Sequence, residues 1–142
     1  MKKIYFLLFM LSAGQLFGQI VNQNIPGVLG ATSTLRAPNG TSAHTTIRAH
    51  YMIYPADLTA LPNGAQIVSA GFVYVNGCNT NASGNLKFYM ENSTATSNTK
   101  STTWATAITG MDTLYDGAYN IPVSTTGVVS SFPLNDTFTY TG

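Results

Sequence analysis

Residues Gln66 to Glu91 carry two apolar runs separated by a turn of small residues, and no other stretch limits the possible folds as tightly. Gln66 to Val75 is rich in β-branched and aromatic residues and has little polarity on either alternation, the pattern of a strand covered on both faces. It is expected to be a central strand. Asn76-Gly77 and the small polar run Cys78 to Gly84 follow, with glycines available for positive-φ positions, so the chain is expected to turn there. Asn85 to Glu91 then alternates strictly, Leu86, Phe88 and Met90 toward a core and Lys87, Tyr89 and Glu91 toward water. The two runs are expected to pair with each other as a β-hairpin.

The flanking sequence predicts more strands and no amphipathic helix of usual length. Gln19 to Gly30 reads as an irregular lead-in with Pro26 and Gly27 as breakers, and Ala31 to Arg36 as a short edge strand. His44 to Tyr54 has the alternation of a strand, with Ile47, Ala49, Tyr51 and Ile53 facing in and Pro55 stopping it. Asp57 to Gly64 reads as a turn that can hold one helical turn. Asn92 to Thr103 lacks periodicity and reads as a flexible polar loop. Trp104 to Thr109 alternates again, Thr113 to Gly117 reads as a short strand entering a turn, and Pro122 marks Tyr119 to Val123 as an edge. Val128 to Leu134 and Thr137 to Tyr140 are expected to be two short strands around Asn135-Asp136. Many short strands punctuated by Gly, Pro and Asn predict an all-β fold, an antiparallel sandwich or barrel over residues 31–142.

The amino terminus predicts export. Lys2-Lys3 followed by the apolar run Ile4 to Leu11 and a cleavage zone from Ser12 to Gly18 has the layout of a secretory signal peptide over residues 1–18. The run falls short of the ~20 apolar residues that a membrane span needs. Removing Lys2 and Lys3 leaves four basic residues against five acidic ones, a net charge of −1. That balance offers no footprint for nucleic acid. Charged residues make up 8% of the chain, against roughly 25% in an average soluble domain, and Thr, Ser, Asn and Gly replace them, as suits an extracellular surface. Cys78 is the single cysteine, so no intrachain disulfide can form and stability must come from burial.

The succession Tyr51 to Leu58, Leu61 to Ile67, Gly71-Phe72, Leu86 to Met90, Trp104, Leu114 to Gly117, Phe132 to Leu134 and Phe138 to Gly142 resembles a β-sandwich module of secreted and cell-surface proteins of Bacteroidetes. Many of those proteins are cargo of the type IX secretion system. The resemblance spans roughly Arg36 to Gly142 and implies a jelly-roll-like sandwich with no catalytic group of its own. In that family an apolar strand usually follows the Phe-x-Tyr-x-Gly phrase, so the resemblance implies a sheet that lacks its last strand at Gly142. Two readings follow: the chain is the amino-terminal piece of a longer protein, which is the simpler one, or a partner strand fills the gap, since such an edge invites strand addition from another chain. Asp112-Thr113-Leu114 also resembles the O-glycosylation sequence of exported Bacteroidetes proteins, which makes Thr113 a candidate modification site.

Few residues promise chemistry. His44, Arg48 and His50 share one alternation and read as polar residues on a wet face or as a small anion or metal patch. At ~3.3 Å per residue the two histidines stand ~20 Å apart, too far to share an ion. No Gly-x-Ser-x-Gly elbow is present, and Asp57, Glu91, Asp112, Asp116 and Asp136 sit near expected turns with no local pair of the kind glycoside hydrolysis uses. The Asn76 to Asn81 loop has no acid for calcium, and Cys78 has no neighbouring base or resolving thiol. Asn39, Asn81, Asn92 and Asn135 begin eukaryotic N-glycan sequons, which a bacterial cell would not use. Trp104, Tyr115 and Tyr119 are the candidate sugar-stacking residues, with core packing as the competing role.

These features predict no cofactor, no metal and no catalytic residue in this chain. The expected function is a non-catalytic secreted β-sandwich module acting as an adhesion, spacer or accessory domain of a larger cell-surface or secreted protein, whose partners are a polysaccharide or a cell-surface protein. A carbohydrate-binding module that uses exposed aromatics is the alternative, and the amino-terminal part of a hydrolase with its active site beyond residue 142 is the third.

Overall fold

A computed structural model describes residue 23 and residues 46–74, 82–121, 123 and 129–142. The signal-peptide segment, the expected edge strand at 31–36, His44, the Asn76-Gly77 turn, Cys78 and Pro122 lie outside the described residues. Four strands dominate what is described: β1 (Gln66–Val73), β2 (Ala82–Met90), β3 (Asp112–Ile121) and β4 (Val129–Thr139). A 3₁₀ turn at Pro55–Asp57 and one short helix, α1 (Trp104–Ala107), complete the elements. The fold is all-β, with two antiparallel two-stranded sheets, β1 with β4 and β2 with β3.

That pairing corrects the expected hairpin. β1 does not pair with β2; its residues Ser69 to Val73 run against Pro133 to Val129, while β2 runs against β3 from Ala82↔Ile121 to Met90↔Asp112. β1 is also not covered on both faces, since Val68 and Val73 are exposed while Ala70 and Phe72 face the core. Its apolar outer face reflects small and β-branched residues on a two-stranded sheet rather than a central position. The alternation in β2 is as expected for Leu86 and Phe88, which pack on the core, and for Lys87, which is exposed.

Two irregularities change how the strands present their side chains. Phe88 faces Tyr115 and Tyr89 faces Thr113, so Leu114 is one extra residue in β3. The bulge lets Leu114 and Tyr115 both turn inward although they are consecutive. In β4 the pairs Ser69↔Pro133 and Ile67↔Phe138 leave Leu134 to Thr137 opposite Val68 alone. The expected break at Asn135-Asp136 is therefore a wide bulge inside one continuous strand. β3 likewise runs through Asp116-Gly117 where a turn was expected. Gly117 fits there because the Tyr115 ring folds over it, at 3.3 Å from where a Cβ would stand, and donates its hydroxyl to the Ala118 carbonyl at 2.7 Å.

The two sheets share one aromatic core. Tyr74, Tyr119, Ile121 and Phe132 are buried together, with Ala70, Phe72, Leu86, Phe88, Tyr115 and Leu134 packed around them, and β3 packs against β4. Phe132 is the hub: its ring centroid lies 5.9 Å from Phe72, 5.5 Å from Phe88, 4.9 Å from Tyr115 and 5.6 Å from Tyr119. Inside this core Tyr119 donates to the Ser130 carbonyl at 3.3 Å, which leaves Tyr74 as donor in the 3.2 Å contact between the two hydroxyls. Buried hydroxyls need such partners.

Side-chain amides tie the irregular segments to the sheets. Asn92 donates to the Thr139 carbonyl at 2.8 Å and accepts from the Thr141 amide at 3.0 Å, while Tyr140 exchanges backbone bonds with Ala65 and Gly64 on its other side. The 92–103 segment is irregular as expected, yet it is anchored at Asn92 and again by Lys100, whose ammonium meets Glu91 at 2.6 Å. Gln23, within the expected lead-in, donates to the Asp57 carbonyl at 3.1 Å and accepts from the Ala60 amide at 3.0 Å. Gly64, at φ +85°, makes the turn that launches β1, a conformation a side chain disfavours.

Candidate functional site

The described residues that bring polar and aromatic groups together outside the core centre on Trp104. Trp104 opens α1, where an alternating strand was expected. Bonds from Ala107 to Thr103 and from Ile108 to Trp104 close one helical turn, and the fully buried Ala107 anchors it. Six residues of alternation do not separate a strand from a single helical turn, and the alanines at 105 and 107 favour the helix. The helix sets the half-buried indole against two other parts of the chain. Tyr89 of β2 meets it edge to face at 6.1 Å. The His50 imidazole lies parallel to it, 5.3 Å between centroids and 4° between planes, and the Arg48 guanidinium carbon stands 5.7 Å from the indole centroid.

Residues 46–54, expected to be a strand, form no regular element. This stretch is attached through His50 and Arg48 to Trp104, and at the turn beyond it Tyr54 donates its amide to the Asp57 carboxylate at 3.2 Å. Arg48 and His50 project to one side as their alternation implied. That side is not simply wet: Arg48 is exposed, but His50 is half-buried and its Nε2 is shut from water without a hydrogen-bond partner. The inward alternation also fails in its second half, because Tyr51 and Ile53 are exposed. Tyr51 is 56% accessible and Tyr54 47%, the exposed aromatic residues among those described.

Of the three candidate stacking residues, Tyr115 and Tyr119 are brought together on Phe132, while the ring contacts of Trp104 are with other residues. Tyr119 is 9% accessible and sits in the core, with its ring against Phe72 and Phe132. Tyr115 is half-buried on Phe132 and lies over Gly117. Trp104 is apart from both, covered by His50 and Arg48. Thr113 is exposed in β3, and its neighbour Asp112 is exposed as well.

Charge on the described surface is sparse, and its two lysines are both paired. Lys87 meets Asp116 at 2.8 Å across β2 and β3, and Asn85 donates to the same carboxylate at 3.2 Å. The hydrogen bond that the Lys87 ammonium donates to Asp116, and then the charge of that carboxylate, hold the lysine above its ordinary pKa. Lys100 is paired with Glu91. Arg48 stands differently, because among the described residues no carboxylate meets it and the indole is its contact. Among the described residues no three His, Cys, Asp or Glu side chains converge to hold a metal ion, and no helix is long and apolar enough to cross a membrane.

Sequence reasoning missed the Arg48–His50–Trp104 cluster because its two halves lie more than fifty residues apart along the chain. Alternation placed Arg48 and His50 on one side, but nothing local names the ring they meet. Comparison with protein-family models, with curated proteins and with solved structures finds no match to this chain.

Proposed function

We infer that the protein is a non-catalytic, exported module with an adhesive, spacing or accessory role at the cell surface. The observation that carries this reading is the shared core around Phe132, in which Tyr115 and Tyr119 join both sheets into one unit. Aromatic residues that bind such a core serve cohesion. An antiparallel sandwich of jelly-roll type is the architecture into which two ribbons packed through one aromatic layer fit, and the resemblance to the secreted Bacteroidetes module supports the same fold. The signal-peptide layout supports export, and the low charge with abundant Thr, Ser and Asn suits an extracellular surface. Exposed Thr113 within Asp112-Thr113-Leu114 would be open to O-glycosylation in that compartment.

Retention of protein-coated beads on cell-envelope and polysaccharide surfaces tests the adhesive role, with the released material assayed for hydrolysis products. Coated beads should be held more firmly than bare beads, and no product should appear. Sustained product release by the purified chain would refute the non-catalytic reading, and retention no better than that of bare beads would refute adhesion.

A further inference from the structure

We propose that Asn63 is a site of self-modification, converted to aspartate and isoaspartate through attack by the Gly64 nitrogen, and that the Tyr140 carbonyl gates the reaction by holding that nitrogen until the end of β4 lets go. The site lies in the turn that launches β1 and does not depend on the adhesive role.

Asn63 and Gly64 are both exposed. An asparagine Cγ can close a five-membered ring with the nitrogen of the next residue, and glycine favours this because it has no Cβ to crowd that nitrogen. Nothing stands within 4 Å of the place a Gly64 Cβ would take, so the turn adds no shield of its own. Hydroxide takes the Gly64 amide proton and the nitrogen bonds to Cγ of Asn63. The bond from Cγ to Nδ2 breaks, and the leaving nitrogen takes a proton from water and departs as ammonia. Water then adds to one carbonyl of the succinimide and breaks that carbonyl's bond to the ring nitrogen. Opening at Cγ gives aspartate; opening at the main-chain carbonyl gives isoaspartate.

In the folded chain the attacking nitrogen is engaged. The Gly64 N–H donates to the Tyr140 carbonyl at 2.8 Å, and the Tyr140 N–H donates to the Ala65 carbonyl at 2.9 Å. Removing the proton there would set a negative nitrogen against a carbonyl oxygen, so attack waits until this bond opens. The opposite edge of the same stretch is held by Asn92, whose carboxamide donates to the Thr139 carbonyl at 2.8 Å and accepts from the Thr141 amide at 3.0 Å. The carboxamide takes the place that a peptide group of a neighbouring strand would occupy. Asn92 therefore acts as a positioning residue for the gate. The change locks itself in: isoaspartate lengthens the main chain by one carbon ahead of Gly64, so Gly64 and Ala65 no longer meet Tyr140 in step.

The test incubates the protein in mildly alkaline buffer with and without denaturant, then follows chymotryptic peptides by mass spectrometry and labels isoaspartate with isoaspartyl methyltransferase. Asn-Gly pairs stand at 39–40, 63–64 and 76–77, and cleavage after Tyr54 and Phe72 yields peptides in which Asn63 is the sole asparagine. Those peptides should gain both products in native buffer, at least about tenfold more slowly than in denaturant. Asn63→Gln should silence them. Exchange of the Gly64 amide with deuterated water needs the same opening, so its protection should match the slowing of conversion to within about tenfold. Asn92→Ala should raise the native rate about tenfold, for the loss of two hydrogen bonds, and leave the rate in denaturant unchanged. Equal rates in native buffer and denaturant overturn the gate, as does a native rate that Asn92→Ala, folded by its far-UV spectrum, leaves unmoved. If that variant does not fold, the unaltered protein decides: Gly64 exchange without conversion of Asn63, or a slowing unrelated to its protection, refutes the proposal.

Discussion

Replacing Phe132 by alanine tests whether the two ribbons really share one core. Phe132 is 4% accessible and touches four aromatic rings, two of them on the sheet to which it does not belong through Tyr115 and Tyr119 of β3, and a third there through Phe88 of β2. Truncating a buried Phe to Ala typically costs about 3–5 kcal/mol, and aromatic pairs add about 0.5–1.5 kcal/mol each beyond buried area. Four such pairs place this site near the upper end, about 4–5 kcal/mol. A domain of this size has about 5–15 kcal/mol in all, so the variant should be marginal and should melt at least about 10 °C lower. Urea unfolding followed by far-UV circular dichroism and by Trp104 emission measures the loss. Phe132→Leu, which keeps much of the apolar volume and deletes the ring contacts, should lose about 1–2 kcal/mol and serves if the alanine variant does not fold. The exposed Val129→Ala should stay within about 0.5 kcal/mol. A loss below about 1 kcal/mol in Phe132→Ala would refute the shared core, because the ribbons would then be held by something else.

Three further outcomes follow from single contacts. Tyr119→Phe removes the hydroxyl between Tyr74 and the Ser130 carbonyl and should cost about 1–2 kcal/mol; the urea midpoint should fall with an unchanged slope. Asn92→Ala deletes both bonds to the Thr139–Thr141 backbone, so hydrogen exchange at the Thr141 amide should speed up while the β1 amides keep their protection. The Lys87–Asp116 pair raises the lysine pKa in the folded state, so its contribution is complete below the unfolded value near 10.5 and is lost as pH rises through the raised value. The difference in melting temperature between the protein and Lys87→Met should therefore be constant near neutral pH and shrink in strongly alkaline buffer. A difference that survives there undiminished would trace to packing by the lysine stem.

The sequence by itself determined the all-β class and much of which residue faces in. Leu86 and Phe88 follow from alternation, because a strand's period of two is a property of its own backbone and needs no partner to be read. Partner choice is different. β1 and β2 are neighbours in sequence and both read as strands, yet each found its ladder elsewhere, since any strand edge offers the same N–H and C=O groups and burial of Phe72 and Phe132 decides between them. Local pattern also failed where it was too short, at Trp104–Ala107, and where a tertiary neighbour overrode it, at Gly117 beneath Tyr115 and at the β4 bulge opposite Val68. Tyr119 illustrates the limit for function: the chain names a tyrosine able to stack on a sugar, but only the packing of β3 against β4 puts that ring in the core. The Trp104 cluster was decided the same way, because an aromatic contact between residues 48, 50 and 104 has no signature within any one stretch of chain.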